Sequence, residues 1–217
     1  MTEALRRAWT ETVEPADYEA HMARNGQAAA MARLVEWALE ETALDPGASI
    51  WIAGAGSGQM FDFLDPHRFA PFALTCTDLS ERMLAALRQR VARLGLGVHV
   101  EVDDLENCAV EGLFDLSLAT LVLEHVDWRR AVVAIGQRSR ETQFYVVQEN
   151  PPGMATAVTP GCIPPGTMRV FAEEARPHLL SFEELTQELG ARDFILTASR
   201  REPVADGKQL RGLLFRR

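Results

Sequence analysis

The chain has 217 residues, 31 of them acidic and 22 basic, with a net charge of −9 and a pI of about 5.1. The length fits one domain at the usual ~100–200 residues each, and the negative surface opposes a nucleic-acid partner. No apolar run reaches the ~18 residues of a membrane span, and the N-terminal M-T-E-A-L-R-R-A-W-T-E has no long apolar segment, so a cytoplasmic protein without membrane contact is expected. Cys76, Cys108 and Cys162 are far apart and form no C-x-x-C pair, which points to plain thiols and no metal site.

Residues 1–27 mix charges, aromatics and helix formers around Pro15. From Ala28 to Leu44 the apolar residues Met31, Leu34, Val35, Ala38 and Leu39 fall on one helical face, and Asp45-Pro46-Gly47 ends that helix. Ile50, Trp51, Ile52 and Ala53 then run without alternation into Gly54, Gly56 and Gly58, as a strand buried on both faces feeding a tight turn. A helical pattern follows (Gln59, Met60, Phe61, Phe63, Leu64), whose first N–H groups would seat a carboxylate or phosphate. The spacing is G-x-G-x-G; a dinucleotide fingerprint would put its third glycine at Gln59.

Residues 72–77 read as a second strand ending on Asp78, after which Ser80 caps a helix carrying Met83, Leu84, Leu87, Val91 and Leu94 and stopped by Gly95. This β-α alternation predicts a doubly wound, mostly parallel sheet. Asp78 lies at a strand end, 20 residues after Gly58, where an acid accepts hydrogen bonds from ribose hydroxyls or, in the bland case, is a solvated turn residue. The alternating Val98–Val102 stretch delivers Asp103, Asp104 and Leu105, suited to an adenine amino group and ring, or else to a loop. The apolar run from Leu113 to Val126 is the central strand; Asp127 caps a helix over 128–139, and residues 142–149 form a fifth strand.

The ordered series G-A-G-S-G, T-D-L-S-E-R-M-L, V-D-D-L and F-D-L-S-L-A-T-L-V-L-E-H-V resembles the motifs of class I methyltransferases that use S-adenosylmethionine on small molecules, over about residues 48–150. The resemblance implies a seven-stranded sheet whose C-terminal hairpin has an antiparallel last strand. It also implies that the donor, or its product S-adenosylhomocysteine, contacts Ala53, Gly54, Gly56, Gly58, Asp78, Leu79, Asp103, Asp104, Leu105 and Thr120. Most members carry an acid two residues before the first glycine; Ile52 stands there, leaving the methionine ammonium to backbone carbonyls at Ala53 or Thr120 and the carboxylate to Gln27 or Arg24. The Asn150-Pro151-Pro152 triplet follows the wrong strand for an amino-methyltransferase motif.

The Pro- and Gly-rich stretch 150–178, with Pro160, Gly161, Pro164 and Pro165, is too long for a simple connection and reads as a substrate loop. Ser181 with Glu184 and Leu180 with Leu185 mark a helix start at Phe182, and residues 193–199 and 209–215 a hairpin turning at Asp206-Gly207. Four segments result: an arm and helix over 1–44, a donor-binding core over 48–149, a substrate loop over 150–178, and a helix and hairpin over 179–217. His125 or Glu149 is the candidate base, against a packing or capping role, the more ordinary one, for His125 and a loop acid for Glu149; Tyr18, His21, Asn150 and His178 are candidate acceptor contacts. Two rivals stay open: a protein on the same fold that binds the donor without transferring methyl, and a nicotinamide-dependent oxidoreductase, which the early third glycine opposes.

Overall fold

The computed structural model describes residues 1–158 and 166–217. Pro160, Gly161, Cys162, Pro164 and Pro165 therefore lie outside the described residues. Seven strands form one sheet: β1 (Ser49–Ala53), β2 (Ala73–Asp78), β3 (Val98–Val102), β4 (Phe114–Thr120), β5 (Ser139–Glu149), β6 (Ile195–Pro203) and β7 (Gln209–Arg216), ordered β3-β2-β1-β4-β5-β7-β6. Strands β1 to β5 pair in parallel, and β7 is antiparallel to both β5 and β6, the doubly wound sheet of the class I methyltransferase fold. The chain runs outward from β1 to β2 and from β4 to β5 in opposite directions, so the carboxyl ends of β1 and β4 flank the topological switch where such sheets bind ligands.

The unalternating run at 50–53 now has its reason. Ile50 and Ile52 belong to the core beneath α3 (Gln27–Thr42) and α4 (Glu81–Arg93), whereas Trp51 and Ala53 belong to the core on the other face, beneath α5 (Trp128–Arg138) and α7 (Phe182–Gly190). All four side chains are buried because both faces of a central parallel strand are covered. Trp51 keeps its indole N–H satisfied by donating to Thr77 Oγ1 at 3.0 Å.

Local capping agrees with the sequence. Ser80 accepts from the Met83 N–H, Asp127 from that of Arg130, and Ser181 from that of Glu184, each at the N-cap of its helix. One expectation is corrected: after Gly58 there is only a 3-10 turn, Gln59–Asp62, too short to act as an anion-binding helix terminus. Its apolar members Met60 and Phe61 are drawn instead into the core against Phe69 and Leu87.

The arm folds into α1 (Glu3–Arg7), a π-helical turn (Ala8–Thr12) and α2 (Pro15–Arg24), with Pro15 at the first helical position where its missing N–H costs nothing. Leu5, Ala8 and Val13 pack with Met83, Met168 and Phe171, so the arm is a cover over the carboxyl ends of the strands. Arg90, only 9% exposed, fastens it: Nε meets Asp62 Oδ2 and Nη2 meets Glu19 Oε1, both at 2.9 Å, while Nη1 donates to the Ser57 carbonyl of the glycine turn. Asp62 and Glu19 retain partial access to water, so Arg90→Met is expected to lower the unfolding free energy by about 1–2 kcal/mol, read from urea titration by circular dichroism.

Candidate active site

Two cavities open at the carboxyl end of the sheet. The first, about 630 Å³ with its mouth, is bounded by the glycine turn at Gly54 and Gly56, by Asp78 and Leu79 after β2, by Asp103, Asp104 and Leu105 after β3, and by Thr120 to Val122 and Val126 after β4. The glycines are required for different reasons. Gly54 and Gly56 have φ of 70° and 56°, and a Cβ on Gly54 would lie 2.4 Å from Val122 Cγ2, whereas one on Gly56 would meet only the Tyr18 ring at 3.8 Å. Gly54 thus lets the turn cross β4, and Gly56 keeps main chain bare toward the cavity.

Asp78 is half-buried with its two oxygens occupied from the protein side: Oδ2 accepts from the Gly56 N–H at 2.8 Å and Oδ1 from that of Ser80 at 2.9 Å. Burial raises its pKa above the usual carboxylate value despite these bonds. An ionised carboxylate has about four acceptor positions, so Asp78 can still accept from a diol. Asp103 accepts from the Ala109 N–H with Oδ1, and the Cys108 thiol also lies against its carboxylate. Asp104, in contrast, is held by Arg6 at 2.8 Å and by Asn107, which lower its pKa against the effect of burial. Leu105 and Val126, both buried, border the same cavity as Asp103.

The second cavity, about 950 Å³ with its mouth, lies between the arm, the β5 end and the β6–β7 turn. Its walls are largely aromatic and apolar, among them Trp9, Met22, Met168 and Phe171, with Glu124, Gln27, Gln148 and Lys208 supplying polar edges. Trp9, Tyr18, Leu121 and His125 border both cavities, so these four residues form the partition between them. Trp9 stacks edge-on with Tyr18 and His125, centroids 5.7 and 5.1 Å apart, and leans on Phe171 at 4.9 Å. Leu121 has a φ of 54°, strained for a residue with a Cβ, and is pinned there by its N–H donating to the Val146 carbonyl at 2.8 Å.

Residues 50–140 match the model of a family described as a methyltransferase domain. Over that stretch the chain is similar to a methyltransferase domain, and its sheet has the class I methyltransferase fold. No curated protein sequence matches it. Among solved structures it is similar to magnesium protoporphyrin IX methyltransferase of Synechocystis PCC 6803 with bound S-adenosylhomocysteine, at 15% identity over 99% of this chain and 93% of that one, TM-score 0.70. It is also similar to the N-methyltransferase NodS of Bradyrhizobium japonicum WM9 in complex with S-adenosylhomocysteine (16% identity, 88% and 86% covered, TM-score 0.61) and to the [4+2]-cyclase SpnF (16%, 86% and 80%, TM-score 0.65). At such identities the likeness is one of fold.

The residues named from the sequence divide. Gly54, Gly56, Asp78, Leu79, Asp103, Asp104, Leu105 and Thr120 come together around the first cavity. Ala53 and Gly58 do not: Ala53 is enclosed in the sheet between Thr77 and Ala119, and a Cβ on Gly58 would lie 2.2 Å from Leu87 Cδ1, so that glycine serves packing against α4. Ile52 is enclosed in the core, Arg24 is exposed, and Gln27 borders the second cavity, donating to Gln148 Oε1 at 3.3 Å.

Tyr18 and His21 line the second cavity, His21 bonded to Asn25 and held below the usual histidine pKa by burial. Asn150 lies outside both cavities and ties the start of the loop to the Met154 and Thr156 carbonyls. His178 lies beside the partition without bordering a cavity; its N–H donates to the Glu124 carbonyl at 3.0 Å. Glu149 is also outside both cavities. It is paired with Arg201 at 2.6 Å and Arg211 at 3.3 Å, and the Arg201 hydrogen bond foremost holds its pKa below the usual value, the opposite of what a general base needs. Strand alternation is the cause, since Gln148 takes the inward position one residue earlier. His125 is at the partition, but burial foremost, with His178 nearby, lowers its pKa to about 3, so it is a neutral ring and a weak base.

Trp9, Met1 and Glu124 are among the lining residues that escaped the sequence reading. Trp9 and Met1 come from the arm, and nothing in their local pattern indicates which face they present. Glu124 did carry a signal: an acid set inside the apolar run L-V-L-E-H-V is bound to be buried. It is 4% exposed, and burial raises its pKa to about 7 against the hydrogen bond from the Gln148 N–H. Among the described residues no cluster of three or more His, Cys, Asp or Glu is placed to hold a metal, and no helix is long and apolar enough to cross a membrane.

Proposed function

We propose that this protein transfers the methyl group of S-adenosylmethionine to a small-molecule acceptor, with the donor in the cavity at the glycine turn and the acceptor in the adjoining one. The observation that carries this reading is the shared wall of Trp9, Tyr18, Leu121 and His125, which brings two separately built cavities to one point. The bound donor supplies an electrophilic methyl on a sulfonium. Asp78 takes the ribose hydroxyls, Asp103 the adenine amino hydrogen, and Leu105 and Val126 the ring faces. The arm, through Trp9 and Tyr18, keeps water from the partition, where alignment of acceptor and methyl accounts for most of the rate.

A second reading, donor binding without transfer, is favoured by Ile52 in place of an acid and by the presence of a cyclase among proteins of this fold. The deciding experiment has two parts. Saturation with S-adenosylhomocysteine at ~100 times its dissociation constant should add about 2.7 kcal/mol of stability, a rise of roughly 5–10 °C in thermal midpoint, with NADH giving none. Asp78→Ala should abolish the rise. Because that variant also strands the Gly56 and Ser80 N–H groups, its own midpoint is lower, and the comparison is between shifts. Absence of a shift in the wild type removes the donor assignment, and a shift with NADH reinstates the oxidoreductase. If the donor product binds, formation of S-adenosylhomocysteine from donor in the presence of a low-molecular-weight cell extract distinguishes transfer from binding alone.

A further inference from the structure

The second cavity contains a carboxyl group that the donor site does not use. Glu124 sits in the turn after β4, on the cavity wall and directly before His125 of the partition. Oε1 accepts from the Gln148 N–H at 2.8 Å, which fixes the side chain; Oε2 is buried and has no partner among the described residues. An ionised oxygen left so is costly unless something donates to it, and the described residues place no donor on it. The surrounding walls are rings and apolar chains: Trp9, Phe171, Met22 and Met168. The formal charges on the wall are those of Glu124, Asp206 and Lys208, both signs present, which opposes a strongly charged acceptor of either sign.

Resting on the methyl-transfer reading, we infer that the acceptor is a neutral, ring-bearing hydroxyl compound whose O–H donates to Glu124 Oε2, making Glu124 the residue that selects and deprotonates it. As the hydroxyl oxygen bonds to the methyl carbon and the carbon–sulfur bond breaks, the sulfur keeps the electron pair and the hydroxyl proton passes to Oε2. Glu124 then returns the proton to solvent. The pKa of about 7 suits a group that must both accept and release a proton near neutrality. A carboxylate acceptor needs no base and would face like charge, which separates this class from acid esterification.

The test is binding to the full-length protein saturated with S-adenosylhomocysteine, by calorimetry at pH 8, of three probes: 1-naphthol, its methyl ether 1-methoxynaphthalene, and 1-naphthoate. A charge-assisted hydrogen bond predicts that wild type prefers naphthol to the ether by at least ~10-fold. Glu124→Gln keeps a carbonyl for the Gln148 N–H and turns an amide N–H₂ toward the cavity, where it donates to either oxygen. The preference should therefore fall to within ~3-fold while affinity for S-adenosylhomocysteine is unchanged. A purely structural Glu124 would leave the ratio the same in both proteins, and that result overturns the inference. So does a wild type that binds naphthoate more tightly than naphthol, or that binds none of the three. Failure of S-adenosylhomocysteine itself to bind is read in the separate donor arm and strikes the methyl-transfer reading instead.

Discussion

Gly54→Ala is expected to lower the unfolding free energy by about 2–5 kcal/mol and to weaken the S-adenosylhomocysteine-induced thermal shift. Two costs combine. A left-handed φ of 70° costs a residue with a Cβ about 1–2 kcal/mol, and inserting a methyl into a filled site costs about 1–3 more. The site is filled on one side only: all three nearest atoms belong to Val122, at 2.4, 2.8 and 3.3 Å. Val122 follows the strained Leu121, so relief of the overlap must push on the residues that border the first cavity. The double variant Gly54→Ala/Val122→Ala removes the overlap and leaves the φ cost, and should show an interaction energy of at least ~1 kcal/mol by urea denaturation. Strict additivity, or a Gly54→Ala protein within ~0.5 kcal/mol of wild type, would contradict this account of the turn.

The second large effect is a pH dependence of stability traced to Glu124. Its folded pKa of about 7 lies above the reference value of 4.5, so the native state holds the proton more tightly than the unfolded chain. Stability therefore falls as pH rises through the window from about 4.5 to 7, and the full cost, about 3 kcal/mol for a gap of this size, is present above it. Glu124→Gln cannot ionise and keeps the acceptor for Gln148. Subtracting the two stability curves cancels groups common to both proteins, including His178, whose pKa burial lowers, and the Asp206 and Lys208 side chains of the same cavity. His125, held near 3, stays neutral throughout. The variant should match wild type near pH 4.5 and exceed it by up to ~3 kcal/mol at pH 8, by denaturant titration at each pH. Parallel curves would mean that Glu124 titrates as an ordinary surface acid.

Both expectations concern groups whose chemistry depends on residues far away in the chain, and this marks the limit of what a linear reading supplies. The elements of the core were legible because their signals are local. The run at 50–53, the alternation over Val98–Val102, and the caps Ser80, Asp127 and Ser181 each report on neighbours within a turn or a strand pair, and the β-α order with its glycine turn was enough to place Asp78 and Asp103 at adjacent strand ends. Where one residue could serve two purposes, the pattern was silent. Gly58 sits in the motif as Gly54 and Gly56 do, yet it faces Leu87 and not the first cavity; Glu149 and Gln148 differ by one step of the strand pleat, and that step decides which borders the second cavity.

The sequence by itself thus determined the sheet, its switch point and most of the walls of the first cavity, because hydrophobic periodicity, turn chemistry and capping act over a few residues. Only the tertiary structure decided the second cavity. There Trp9, Glu124, Gln148 and Lys208, spread over almost the whole chain, meet in one cavity, and burial, a property of the assembled fold, moves the Glu124 pKa up and the His125 pKa down.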